Sequence, residues 1–160
     1  QLPITNYQLP ITNYQLPMPY EFLEDIAIAD IAFQATGSDL EAVFIAAGDA
    51  TVNTMIENLD AIAPHETRTF SLENDALDML LFNFLQEFIY YKDSELLLLR
   101  PQQVTIAQKD ALFHLNAVTA GETLNPEKHH QRVDVKAVTL HRFALEETDN
   151  GWTAMVILDI

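Results

Sequence analysis

Apolar and polar positions change period several times along the chain, and each change predicts an element. YEFLEDIAIADIAFQATG, from Tyr20 to Gly37, is rich in β-branched and aromatic residues and predicts one or two strands around Asp30. Ser38-Asp39-Leu40-Glu41 has the form of a capping box, with Ser38 as the cap and Glu41 reaching back. From there Leu40, Val43, Phe44, Ala47, Thr51, Thr54 and Met55 recur at steps of three and four, predicting a helix to about Asn58 that lays one apolar stripe on a sheet. Asp49, Glu57 and Asp60 then read as mostly solvated. Pro64 closes a linker, and Glu66 to Leu72 alternates as a strand. A second helix is expected from Asn74 or Asp75 to Lys92-Asp93, with Leu77, Leu80, Leu81, Phe84, Leu85 and Phe88 on one face. Leu96 to Leu99 and Val104 to Gln108 read as strands on either side of Pro101, followed by a strand over Ala111 to Ala120 and a loop from Gly121 to Gln131. The last stretch, Val133 to Ile160, holds two apolar runs split by Thr148-Asp149-Asn150-Gly151, a hairpin signature. Two main helices and runs of consecutive strands argue for a single α+β domain, with the helices packed on a largely antiparallel or mixed β-sheet.

Ahead of this pattern stands QLPITNY, QLPITNY, QLP, a duplicated heptapeptide with a truncated third copy over residues 1–17. Pro3, Pro10 and Pro17 favour extended chain. We take Met18 as the natural start, the repeat as a cloning-derived extension outside the fold, and residues 18–160 as the domain. The other reading is a peptide arm whose Leu, Ile and Tyr residues add to a sheet edge.

Composition narrows the function. With 160 residues, 49% of them hydrophobic, the chain can bury one core. Lys plus Arg number 8 against 24 Asp plus Glu, a formal net charge of −16, so binding to nucleic acid over a broad basic face is not expected; a cation or a basic protein partner suits this surface better. No cysteine is present, which removes disulfides and thiolate metal sites. Only 4 glycines occur and there is neither a phosphate-cradling loop nor a nucleophile elbow, which argues against a nucleotide-binding enzyme. With no apolar run of membrane-spanning length and no signal-peptide profile, a soluble cytoplasmic protein is expected.

Candidate chemistry gathers at the chain's acidic end. Asp159 lies one residue from the α-carboxylate of Ile160, so a sheet edge ending there concentrates negative charge, either solvated or offset by a hard, oxygen-preferring cation. Asp30 is a turn or edge aspartate, or a further carboxylate of such a site. Lys136, among residues that favour burial, is either an edge residue that blocks strand addition or a charge partner for nearby carboxylates. His129 and His130 are adjacent and so do not share a face, which makes a two-histidine zinc site a poor reading. His65, His114 and His141 read as surface or satisfied core residues, and Trp152 as a packing anchor.

YEFLEDIAIADIAF, LLFNFLQEFIYYKD, NPEKHHQRVDVKAVTLH and the closing GWTAMVILDI together give the chain from Met18 to Ile160 a global resemblance to the archeases. These are small acidic proteins that activate tRNA-splicing RNA ligases. The family's His-Thr-Ala-Asp pattern falls on Ala27-Ile28-Ala29-Asp30, so the resemblance makes Asp30 a metal-binding aspartate, with Ala27 in place of the histidine. Its C-terminal aspartate and terminal carboxylate fall on Asp159 and Ile160, and the lysine of its Lys-Ala-(Val/Ile)-Thr motif on Lys136. Leu140 stands where an aromatic usually follows, and His129 matches a loop histidine. The resemblance implies a divalent cation, Ca²⁺ or Mg²⁺, at Asp30, Asp159 and Ile160, with Lys136 and His129 supporting. It also implies an RNA 3′-phosphate ligase as partner, whose guanylylation with GTP and multiple turnover the protein promotes without being an enzyme itself. The alternatives are a metal-dependent phosphoesterase using Asp30 and Asp159 with Lys136 or His129, and a chaperone-like adaptor.

Overall fold

The computed structural model describes residues 19–24 and 30–160; the heptapeptide repeat and Ala27 lie outside them. In chain order the described elements are β1 (Tyr20–Leu23), β2 (Asp30–Gly37), α1 (Leu40–Met55), a 3₁₀ turn (Leu59–Ala61), β3 (Glu66–Asn74), α2 (Leu77–Glu95), β4 (Leu97–Lys109), β5 (Leu112–Thr123), β6 (Ala137–Val138), β7 (Ala144–Thr148) and β8 (Gly151–Asp159). The class is α+β, but the strands form two sheets where the sequence suggested one. A five-stranded sheet runs β1-β2-β8-β6, with β7 also on β8, and a three-stranded sheet runs β3-β5-β4; every described pairing is antiparallel.

Both helices touch both sheets and so form a middle layer. This corrects the single-stripe reading of α1. Ala46, Gly48, Ala50 and Val52 are buried as well as Val43, Phe44 and Ala47, because a helix covered on both sides is apolar all round. Small residues let it sit close: a Cβ on Gly48 would lie 3.1 Å from Pro101 and 3.2 Å from Phe88. α2 buries the predicted face, Leu80, Leu81, Phe84, Leu85 and Phe88, together with Ile89, each contributing roughly 1.5–3 kcal/mol of hydrophobic stabilisation. No helix among the described residues is long and apolar enough to cross a membrane.

Several local expectations shift. The cap of α1 is Asp39, whose carboxylate accepts from the Ala42 N–H at 2.8 Å, while Glu41 accepts from the Ile106 N–H at 3.3 Å. A carboxylate caps as well as a hydroxyl does and also complements the helix dipole. Asp49 is not solvated: Arg100 grips both its oxygens, Nε–Oδ1 at 3.0 Å and Nη2–Oδ2 at 3.2 Å. Pro101 does not divide β4, because β4 is an edge strand and a bulge between Pro101 and Gln103 absorbs the missing N–H. The C-terminal hairpin turns at Asp149-Asn150 as expected, but its first arm is no continuous strand. β6 is two residues long, and the chain then turns at Leu140–Phe143, where Arg142 adopts φ 53°. β8 is not a sheet edge; it lies between β2 on one side and β6 and β7 on the other.

Candidate functional site

The register of the five-stranded sheet is set by what its core face buries. Phe33 of β2 pairs with Val156 of β8, and both are fully buried; a slip by one residue would turn them outward. That register brings Asp30, the first residue of β2, directly opposite Asp159, the last of β8, although they are far apart in sequence. Strand alternation puts both on the face opposite Phe33 and Val156, and both are half-buried. Ala137 of β6 pairs with Asp159 from the other side, and the Lys136 N–H donates to the Asp159 carbonyl at 2.8 Å. Ile160 follows, its side chain packed against the core. Asp30, Asp159, Ile160 and the Lys136 backbone therefore meet at one end of one sheet.

Like charges directly across a ladder repel. The ion pairs of the described residues include neither aspartate. Among the described residues no three His, Cys, Asp or Glu side chains form a metal-holding group; what the register brings together here is two aspartates, with the main chain of Ile160 beside them. An all-oxygen, anionic donor set fits a hard divalent cation; bound through one oxygen each, three carboxylates would fill only part of the six to eight positions that calcium takes. Lys136 is exposed and makes no ion pair among the described residues; it immediately precedes the edge strand β6, and its backbone N–H anchors Asp159.

His129 lies in a different cluster. It is fully buried, accepts from the Asn125 N–H at Nδ1 (2.9 Å) and donates from Nε2 to Glu122 Oε2 (2.8 Å). The same oxygen accepts from the Ala63 N–H at 2.8 Å and from Lys128 Nζ at 2.7 Å. His130 is exposed. Nothing in the sequence marked Glu122, the centre of this group. The Ala63 N–H foremost, then Lys128 and His129, outweigh burial and hold its carboxyl down to about 2. A carboxyl lowered in the folded state stabilises the fold above its unfolded value of about 4.3, and that stabilisation is lost as pH falls toward 2. The wild type should therefore exceed Glu122→Gln in stability by about 2 kcal/mol near neutral pH, and thermal unfolding should bring the two together near pH 2. A gap that persists at low pH would mean that the charge of Glu122 is not the source.

The remaining histidines are peripheral: His65 is exposed 3.8 Å from Glu122, His114 lies 3.3 Å from Glu73, and His141 is exposed. Trp152 packs against the edge of the core and lines a groove of about 600 Å³ at the far end of the β2–β8 ladder from Asp30.

The sequence profile of the Archease protein family (MTH1598/TM1083) matches residues 20–160. A curated relative named protein archease, from Pyrococcus abyssi, is 35% identical over 133 residues, covering 82% of this chain and 93% of the relative. Another of that name, from Methanosarcina mazei, is 33% identical over 142 residues, 88% and 95% of the two chains. Among solved structures, the solution structure of Methanobacterium thermoautotrophicum protein 1598 superposes with a TM-score of 0.78 at 32% identity, covering 90% of this chain and all of that one.

Proposed function

The chain belongs to the archease family, and from that premise we propose that it is a non-enzymatic, cytoplasmic activator of an RNA 3′-phosphate ligase of the tRNA-splicing type. The observation that carries this reading is the register that sets Asp30 against Asp159 beside the Lys136 backbone. Asp30, Asp159 and the Ile160 carboxylate would hold Ca²⁺ or Mg²⁺, and the positions they leave open suit a site completed by the ligase and its nucleotide. When bound there, such a cation would supply charge neutralisation to the GTP phosphates during guanylylation of the ligase. The residues of this chain do the rest: two aspartates at fixed strand ends keep the donors in place, and the exposed ammonium of Lys136 offers a positive charge to an approaching phosphate. A net charge of −16 favours encounter with a basic, RNA-binding partner. His129 supports the site at a distance, by fastening to Glu122 the loop that leads to Lys136.

The test is GTP labelling and multiple-turnover RNA ligation by the cognate ligase, with the wild type or with a form extended by one glycine after Ile160. The extension keeps the Ile160 side chain but moves the carboxylate. The wild type should restore turnover and the extended form should lose roughly tenfold or more. No stimulation by the wild type, together with phosphate-ester hydrolysis by the protein alone, would replace this reading with the phosphoesterase. Full activity of the extended form would remove Ile160 from the site.

A further inference from the structure

A lysine with its side chain 9% exposed is unusual, and Lys92 in the last turn of α2 is one. Its Nζ lies 2.6 Å from Asp93 Oδ1 and 2.5 Å from Asp134 Oδ1, and also donates to the Val135 carbonyl at 3.4 Å. Val135 is fully buried beside it. The next residue is Lys136, whose N–H holds the Asp159 carbonyl. Two residues further on, Gln86 of α2 accepts from the Val138 N–H at 2.8 Å. Residues 134–138 are thus gripped at both ends by side chains of one helix.

The grip matters because of what lies between. β6 is a two-residue edge strand, and so short a ladder has little stability of its own. Were it released, the Asp159 carbonyl would lose its donor and β8 would become the sheet edge at the aspartate pair.

We propose that Lys92, seconded by Gln86, is a positioning residue for the activator site: it fixes the segment that places Lys136 and caps Asp159. This rests on the function proposed above. Burial by itself would lower the Lys92 ammonium, but the hydrogen bonds and charges of Asp134 and Asp93 outweigh it and raise its pKa above the ordinary value, so the grip is ionic at neutral pH.

The test pairs amide hydrogen exchange with ligase stimulation, on wild type, Lys92→Met and Gln86→Ala. Gln86→Ala breaks the second hold without disturbing a buried charge, so it carries the test should Lys92→Met fold poorly. In each variant the Lys136 and Val138 amides should exchange on the order of tenfold faster, while core amides such as those of Phe33 and Phe84 move less. Ligase stimulation should fall by a similar factor, and in a Lys136→Ala background Lys92→Met should cost much less further activity. A purely structural role predicts additive losses instead. Unchanged Lys136 and Val138 exchange in a folded variant overturns the inference, as does rapid exchange with full stimulation. If the wild type fails to stimulate the ligase while the exchange changes appear, the activator reading is what has failed, and the positioning role falls with it.

Discussion

Asp159→Asn is expected to weaken divalent-cation binding at least about 100-fold, and ligase stimulation with it, while leaving the fold intact. Asn matches Asp in size, and the contacts that hold residue 159 are those of the backbone: its ladder pairings with Asp30 and Ala137 and its carbonyl bond from Lys136. The change also relieves a like-charge pair across the ladder, a term of roughly 0.2–1 kcal/mol, so without cation the variant should be slightly more stable than the wild type. With calcium added the order should reverse, because only the wild type gains from binding. Calorimetric titration and thermal unfolding with and without calcium read both signs. A variant that calcium still stabilises to the wild-type extent would show that Asp159 is not a ligand. Asp30→Asn should behave alike, and the double variant should lose little more than either single one, as expected if the two carboxylates serve one ion as proposed.

The unequal legibility of the chain follows from how local each determinant is. The Asp149-Asn150-Gly151 turn was readable because its chemistry lies within a few residues, and Gly151 indeed adopts φ 142°. The buried face of α2 was readable because a helix repeats its period over many residues. α1 was misread because periodicity reports a face only when one face is covered, and here both are. The first arm of the hairpin was misread because nothing local forced the turn at Leu140–Phe143, where Arg142 takes a left-handed conformation that no glycine announced. Asp30 and Asp159 could each be suspected from the family pattern, but their pairing is a product of sheet order, which spacing does not encode. Lys92 and Glu122 were invisible for the same reason: each is unusual only by virtue of partners that the fold brings from other elements.

Phe84→Ala is expected to cost about 3–5 kcal/mol of folding stability, which for a chain of this size lowers the melting temperature by roughly 10–15 °C. The ring is fully buried in the middle layer and meets Phe44 of α1 at 5.6 Å, Phe70 of β3 at 6.0 Å and Phe88 of α2 at 5.1 Å between centroids. Deleting it opens a cavity between elements that cannot all close upon it, because Gly48 already holds α1 against Phe88 and Pro101. Phe82→Ala gives the comparison. That ring is only partly buried and pairs with Phe143 at 5.6 Å, so its loss should cost clearly less. The Asp30–Asp159 pair stands on the face of β2 and β8 opposite the helices, so the Phe84 cavity should leave cation binding unchanged. Calcium should then raise the melting temperature of Phe84→Ala by about the same increment as that of the wild type. A smaller increment in the variant would mean that the middle layer, and not the strand register alone, holds the two aspartates in place.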